Sequence, residues 1–180
     1  GGDRPSLGTL YIASWLRQTN SAEPQVMDMN HYNEQDLINR IYEFKPTFIG
    51  ISLTTPQYEE SIKIARLIKD FKPYLPIFAG GPHVTAMQHV KEVPELMPED
   101  CIDYCVLGQG ERTLEKICKE GYPNERIIKG EPYPTQKNLD WLPMPARDLI
   151  DIDRYNLKIV GRKAQPIMTS FGCPWSCSFC

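Results

Sequence analysis

The chain has 180 residues, of which 41% are hydrophobic and 24% charged, and a formal net charge of −3. That makeup suits an ordinary globular core with room for an appendage, while the weak charge, with no Lys/Arg stripe, argues against nucleic acid as a partner. No apolar run reaches the length of a membrane span, no signal-peptide pattern appears, and the six cysteines do not form a disulfide framework, so a reducing, cytoplasmic setting is expected.

Along the chain, helical and extended patterns alternate. Leu7, Leu10, Tyr11, Ser14 and Trp15 share a helical face that fades by Asn20. Residues 25–30 (QVMDMN) read as a short strand. Asn33 is placed to cap a helix carrying Leu37, Ile38, Ile41 and Tyr42, which Lys45-Pro46 terminates. Residues 47–53 (TFIGISL) form an almost continuous apolar run, the mark of a strand covered on both faces. Pro56 suits the first turn of the next helix, whose Tyr58, Ile62, Ala65 and Ile68 make an apolar stripe. A strand over residues 76–79, a Gly80-Gly81-Pro82 turn and a helix from His83, broken by Pro94, repeat the unit. Residues 102–107, the turn Gly108-Gln109-Gly110 and a helix from Glu111 to Lys119 repeat it again.

This alternation predicts an α/β fold: a doubly wound, Rossmann-like parallel sheet of the flavodoxin type, with helices on both faces. Such sheets bind ligands at the carboxyl ends of their strands. Because the chain opens on a loop leading into a helix, a further strand is expected before Gly1. After Gly121 the pattern changes. Residues 126–131 read as a small β-ribbon, residues 138–147 (NLDWLPMPAR) as a Pro-rich connector packed on a surface, and residues 166–170 as a new short strand. We therefore expect a first domain over residues 1–120, a connector over 121–165, and the truncated start of a second domain over 166–180.

Three of the six cysteines crowd the last nine residues, GCPWSCSFC. Cys173, Cys177 and Cys180 form a C-x3-C-x2-C array, and three thiolates on one tight loop can converge on an iron–sulfur cluster. A structural zinc site is the rival: it would need a fourth Cys or His, which residues 1–180 do not supply nearby and a residue after Cys180 could. The array resembles the signature of the radical S-adenosylmethionine (SAM) enzymes, with Phe179 in the aromatic slot. The resemblance implies that Cys173, Cys177 and Cys180 hold a 4Fe-4S cluster whose open iron binds SAM and cleaves it reductively. It also implies that residues 166–170 begin an α/β barrel and that Phe179 lies beside the adenine. Trp175 and Phe171 are expected only to pack around the loop.

The first domain carries a second resemblance. Asp3 and Gly8 are followed by Ser52-Leu53-Thr54-Thr55 at one strand end and by Gly80-Gly81 at the next. This series is similar to the cobalamin-binding pattern D-x-H-x-x-G, S-x-L or S-x-T, and G-G. Pro5 stands where that pattern has its cobalt-ligating histidine, a loss common among the cobalamin-dependent radical SAM enzymes. The resemblance implies that Pro5, Ser6 and Leu7 lie beneath the corrin and that Gly80 and Gly81 line the channel for the nucleotide tail. Ser52, Thr54 and Thr55 would offer hydroxyls to that channel, with His83 beside it and Gly108, Gln109, Gly110 and Glu111 flanking its far side.

The implied parent enzyme uses cobalamin, SAM and a 4Fe-4S cluster together, most often to methylate an unactivated carbon or phosphorus. Ring closure or rearrangement, a methylthiotransferase, and a non-catalytic cobalamin-binding module are the alternatives. Implied partners are a small-molecule substrate bound by the barrel and an electron donor such as a flavodoxin or ferredoxin. Without that barrel, residues 1–180 are not expected to turn over. Cys101, Cys105 and Cys118 read as plain buried thiols, His31 as a solvated loop histidine and His89 as a surface helix residue. Asp148, Asp151 and Asp153 read as a solvated linker docked through Leu149 and Ile150.

Overall fold

Four short strands pair in parallel and in sequence order: β1 (Ile49–Ser52), β2 (Ile77–Gly80), β3 (Tyr104–Leu107) and β4 (Ile127–Lys129). They are seen in a computed structural model that describes residues 4–87, 97–98, 100–131, 140–170 and 175. Helices α1 (Leu7–Gln18), α2 (Glu34–Phe44), α3 (Tyr58–Phe71), α4 (Pro82–Met87) and α5 (Glu111–Glu120) cover the sheet. The α/β, doubly wound reading therefore holds.

Strand alternation divides the core into two layers. Ile77, Ala79, Cys105 and Leu107 face one side, where they meet Leu37 and Ile41 of α2, Ile62, Ala65 and Ile68 of α3, and Val84 of α4. Phe78 and Val106 face the other side, against Leu16 of α1 and Leu114 and Ile117 of α5. Fully burying a side chain such as Ile68, which is 1% exposed, stabilises the fold by about 1.5–3 kcal/mol.

Local chemistry sets the helix ends. Asn33 accepts from the Asp36 N–H while Asp36 accepts from the Asn33 N–H, closing a reciprocal cap on α2. Lys45 ends that helix in the left-handed region at φ 53°, just before Pro46. Ahead of α3, Thr55–Gln57 form a single 3-10 turn with Pro56 inside it.

Three expectations need correction. Residues 25–30 are not a strand: among the described residues no strand lies along the outer edge of β1, so the segment has no ladder to join. Its Met27 and Met29 still pack on the core. Residues 126–131 are not a separate ribbon. β4 pairs with β3 through Cys105↔Ile127, Val106↔Ile128 and Leu107↔Lys129, which carries the main sheet past Glu120. Residues 166–170 form no strand, again with no described neighbour to pair with; Arg147 instead donates to the Pro166 carbonyl at 2.7 Å.

The connector docks on α1. Ser14 donates to the Met144 carbonyl, the Ala146 N–H donates to the Leu10 carbonyl, and Trp141 meets Trp15 edge-on. It then forms a small antiparallel hairpin that the sequence did not announce, β5 (Lys158–Ile159) and β6 (Arg162–Lys163). Its turn residues Val160 and Gly161 both take positive φ, where Asn-Gly would be the usual signal.

Candidate ligand site at the carboxyl edge of the sheet

Parallel pairing places the ends of β1 and β2 side by side, with Ser52 opposite Gly80. Beyond them the backbone knits together. The Leu53 N–H donates to the Gly80 carbonyl at 2.9 Å, and the His83 N–H donates to the Leu53 carbonyl at 3.1 Å. Ser52-Leu53-Thr54-Thr55 and Gly80-Gly81-Pro82-His83 therefore form one continuous rim.

The two glycines on that rim serve different ends. Gly81 has φ +95°, and a Cβ there would stand 2.8 Å from both the Leu53 carbonyl oxygen and Ser52 Oγ. Its own chain requires it. A Cβ on Gly80 would meet only Val106, at 3.8–4.0 Å, an ordinary contact. Among the described residues, nothing demands glycine at that position.

Polar groups converge beside Gly80. Ser52 and Thr55 are exposed. Thr54 Oγ1 donates to Gln57 Oε1 at 2.6 Å, which commits its proton but leaves its lone pairs. Thr55 Oγ1 lies 3.1 Å from His83 Nδ1, and the imidazole sits 5.0 Å from the Tyr58 ring. His83 is only 7% exposed, and its Nε2 has no hydrogen-bond partner among the described residues.

The third strand end is held by hidden hydroxyls. Gly108, at φ +84°, donates its N–H to Thr85 Oγ1 at 3.0 Å. Thr113 Oγ1 donates to the Gln109 carbonyl at 3.0 Å and accepts from the Glu131 N–H at 2.9 Å. Gly110 meets Ile12 of α1, and Glu111 is buried in the first turn of α5, where a helix N-terminus favours a carboxylate. Thr85 and Thr113 went unnoticed in the sequence, because a threonine inside a helix carries no local mark of what its hydroxyl reaches.

At the start of α1, Pro5 is buried, Ser6 is exposed and Leu7 half-buried. Ser6 Oγ pairs with Thr9 Oγ1 at 2.9 Å and makes no side-chain cap. Cys173, Cys177, Phe179 and Cys180 lie outside the described residues, as do Asp3, Phe171 and His89. Among the described residues no group of three or more His, Cys, Asp or Glu could hold a metal. Cys101 and Cys105 are in the core, and burial raises the thiol values of both and of Cys118, which keeps them protonated and unreactive.

His31 corrects an expectation. It is not a solvated loop histidine: its ring packs edge-on against Tyr155 at 4.7 Å, and its Nε2 is shielded from solvent. Tyr155 donates to Asp28 at 2.9 Å, and Arg154 donates to the His31 carbonyl at 2.9 Å. Burial, then the Asp28 hydrogen bond, push the Tyr155 phenol far upward. The ring thus belongs to the seam where the connector docks. Asp148 pairs with Arg17 and Asp153 with Lys163, both on the surface.

Comparison with known proteins bears on this rim. Residues 1–118 match the family model described as the B12 binding domain. An uncharacterized methyltransferase of Pyrococcus horikoshii is 31% identical over 198 residues, covering 100% of this chain and 41% of the relative. The hopanoid C-3 methylase of Methylococcus capsulatus is 28% identical, covering 97% of this chain and 35% of its own length. The anaerobic magnesium-protoporphyrin IX monomethyl ester cyclase of Rubrivivax gelatinosus is 23% identical, covering 99% and 35%. The chain thus spans well under half the length of these relatives. No solved structure matches it significantly.

Proposed function

Since the chain belongs to the B12-binding domain family, we propose that it binds cobalamin along the carboxyl edge of its sheet, as the front part of a cobalamin-dependent radical SAM enzyme. One observation carries the binding site: Gly80, which no described neighbour requires to be glycine, lies opposite Ser52 on a rim that continues through the exposed hydroxyl of Thr55. A flat macrocycle with a polar nucleotide tail needs that combination of close backbone approach and hydrogen-bonding groups.

In this reading Gly80 and Gly81 floor the tail channel. Ser52, Thr54 and Thr55 would hydrogen-bond to it, with His83 beside Thr55. Gly108, Gln109, Gly110 and Glu111 close the far side, while Pro5, Ser6 and Leu7 lie under the ring. Pro5 has no donor atom to offer cobalt, so no side chain at that position competes for the lower face. Bound cobalamin supplies a cobalt centre able to carry a methyl group. Cys173, Cys177 and Cys180 would hold a 4Fe-4S cluster, which would supply the chemistry of reductive SAM cleavage, with Phe179 at the SAM site and a flavodoxin or ferredoxin as electron source.

Methyl transfer is the favoured reaction, because two of the three relatives above are named for it. Ring closure is the second reading, supported by the cyclase at 23% identity. Mixing the chain with hydroxocobalamin and measuring the corrin absorbance retained after gel filtration tests the cobalamin site. A folded protein that retains none rejects it. Anaerobic reconstitution with iron and sulfide tests the cluster. The parent should gain bound iron and a variant with all three terminal cysteines changed to alanine should not; equal iron in both rejects that assignment.

A further inference from the structure

We infer that Gly130, which lies outside the matched residues 1–118, is a positioning residue for the nucleotide tail, acting through the Gly108-Gln109-Gly110 turn. This rests on the cobalamin reading above and extends it to a strand that the family match does not reach.

The geometry is specific. β4 runs beside β3 as far as Leu107↔Lys129, and the next residue, Gly130, donates its N–H to the Leu107 carbonyl at 2.6 Å. A Cβ on Gly130 would stand 2.5 Å from the Gln109 carbonyl oxygen, 2.6 Å from the Leu107 carbonyl oxygen and 2.8 Å from the Gln109 nitrogen. All three are backbone atoms, so no flexible side-chain end can swing aside. Gly130 is not among the residues with positive φ, so its glycine is required by proximity alone. Gly81 differs, since both its φ and its neighbours demand glycine.

The contact continues into the next residue. Glu131 donates its N–H to Thr113 Oγ1, which in turn donates to the Gln109 carbonyl, and Thr113 is 3% exposed. On the other side Thr85 Oγ1 holds the Gly108 N–H. The turn is therefore gripped between α4 and β4, and its depth is set by how closely Gly130 approaches. A methyl group at Gly130 has two outcomes: the turn moves out over the ligand edge, or β4 withdraws and breaks the 2.6 Å hydrogen bond. Both displace the groups proposed to face the tail.

The test uses two corrins that differ in the tail. Cobinamide has the same macrocycle as cobalamin but lacks the nucleotide. Affinities of the 180-residue chain and its Gly130→Ala variant for each are measured by equilibrium dialysis, with folding followed by circular dichroism. We expect Gly130→Ala to weaken cobalamin binding about tenfold while leaving cobinamide within about twofold. Parallel loss for both corrins, or no change for either in a folded variant, overturns the proposal. If Gly130→Ala does not fold, Thr113→Val removes the same brace without added bulk and should show the same selective loss; parallel or absent loss again overturns it. If the parent chain retains neither corrin, the cobalamin reading itself has failed and this inference falls with it.

Discussion

The two ends of the sheet are built to opposite specifications. At the amino end aromatic packing and charged hydrogen bonds clamp the strands, beside an open cleft of about 360 Å³ lined by Ile102, Asp103, Tyr104, Asn124 and Arg126. Phe78 stacks on Tyr104 at 4.6 Å, with Phe48 and Tyr122 extending the aromatic row across three strands. Asp103 binds Lys69 and the Ile77 N–H together, and Arg126 donates to the Met97 and Ile102 carbonyls. At the carboxyl end the rim carries glycines, exposed hydroxyls and a buried imidazole nitrogen without a partner. The amino end supplies packing energy, while the carboxyl end exposes hydroxyls and backbone that a ligand could use.

That contrast is broken most severely from the amino end. Phe78→Ala removes a ring that is 2% exposed from the centre of the aromatic row and should cost about 3–5 kcal/mol, read as a lower urea midpoint. Corrin retention per folded molecule should not change; a specific loss of retention would mean that the two ends are not separable. On the rim, Gly81→Ala must adopt φ +95° and push against Leu53, and should cost about 2–4 kcal/mol. A neutral result would show that the rim is looser than described.

The smallest expected effect lies on the α1–α5 face. Glu115 accepts from Lys119 at 2.6 Å and from Trp15 Nε1 at 2.7 Å, and the Lys119 bond foremost holds its carboxyl below the ordinary value of 4.5. A folded value lowered in this way contributes stability that is complete above that range and is lost as the pH falls through the depressed value. Glu115→Gln should therefore cost about 0.5–1.5 kcal/mol at neutral pH and flatten the acid limb of the stability curve. An unchanged acid limb would remove Glu115 from the account.

Much of this contrast was legible in the sequence, for reasons that can be assigned residue by residue. The cap at Asn33, the stop at Lys45-Pro46 and the strand at Ile49–Ser52 are local signals, although β1 lies at the described edge of the sheet with Gly50 and Ser52 exposed rather than covered on both faces. Ser52, Gly80 and Gly108 could be placed on one edge because strand–turn–helix repeats put every such turn on the same side. What could not be read depends on neighbours. Residues 25–30 read as a strand but have no described ladder, and Ile127–Lys129 joins a sheet its own sequence does not announce. The different demands on Gly80 and Gly81 are invisible in the dipeptide and appear only when Leu53 and Val106 stand beside them. Val160-Gly161 makes its hairpin turn with a β-branched residue at positive φ, against the usual turn chemistry.

Gly80→Ala tests the central claim most directly, because the described neighbours leave room for a Cβ there and a ligand lying on it would not. The parent and the variant are mixed with hydroxocobalamin, and retained corrin is measured after gel filtration alongside thermal melting of each protein. The account predicts a parent that retains corrin and a folded variant that has lost it. Equal retention by both, or none by the folded parent, would contradict it.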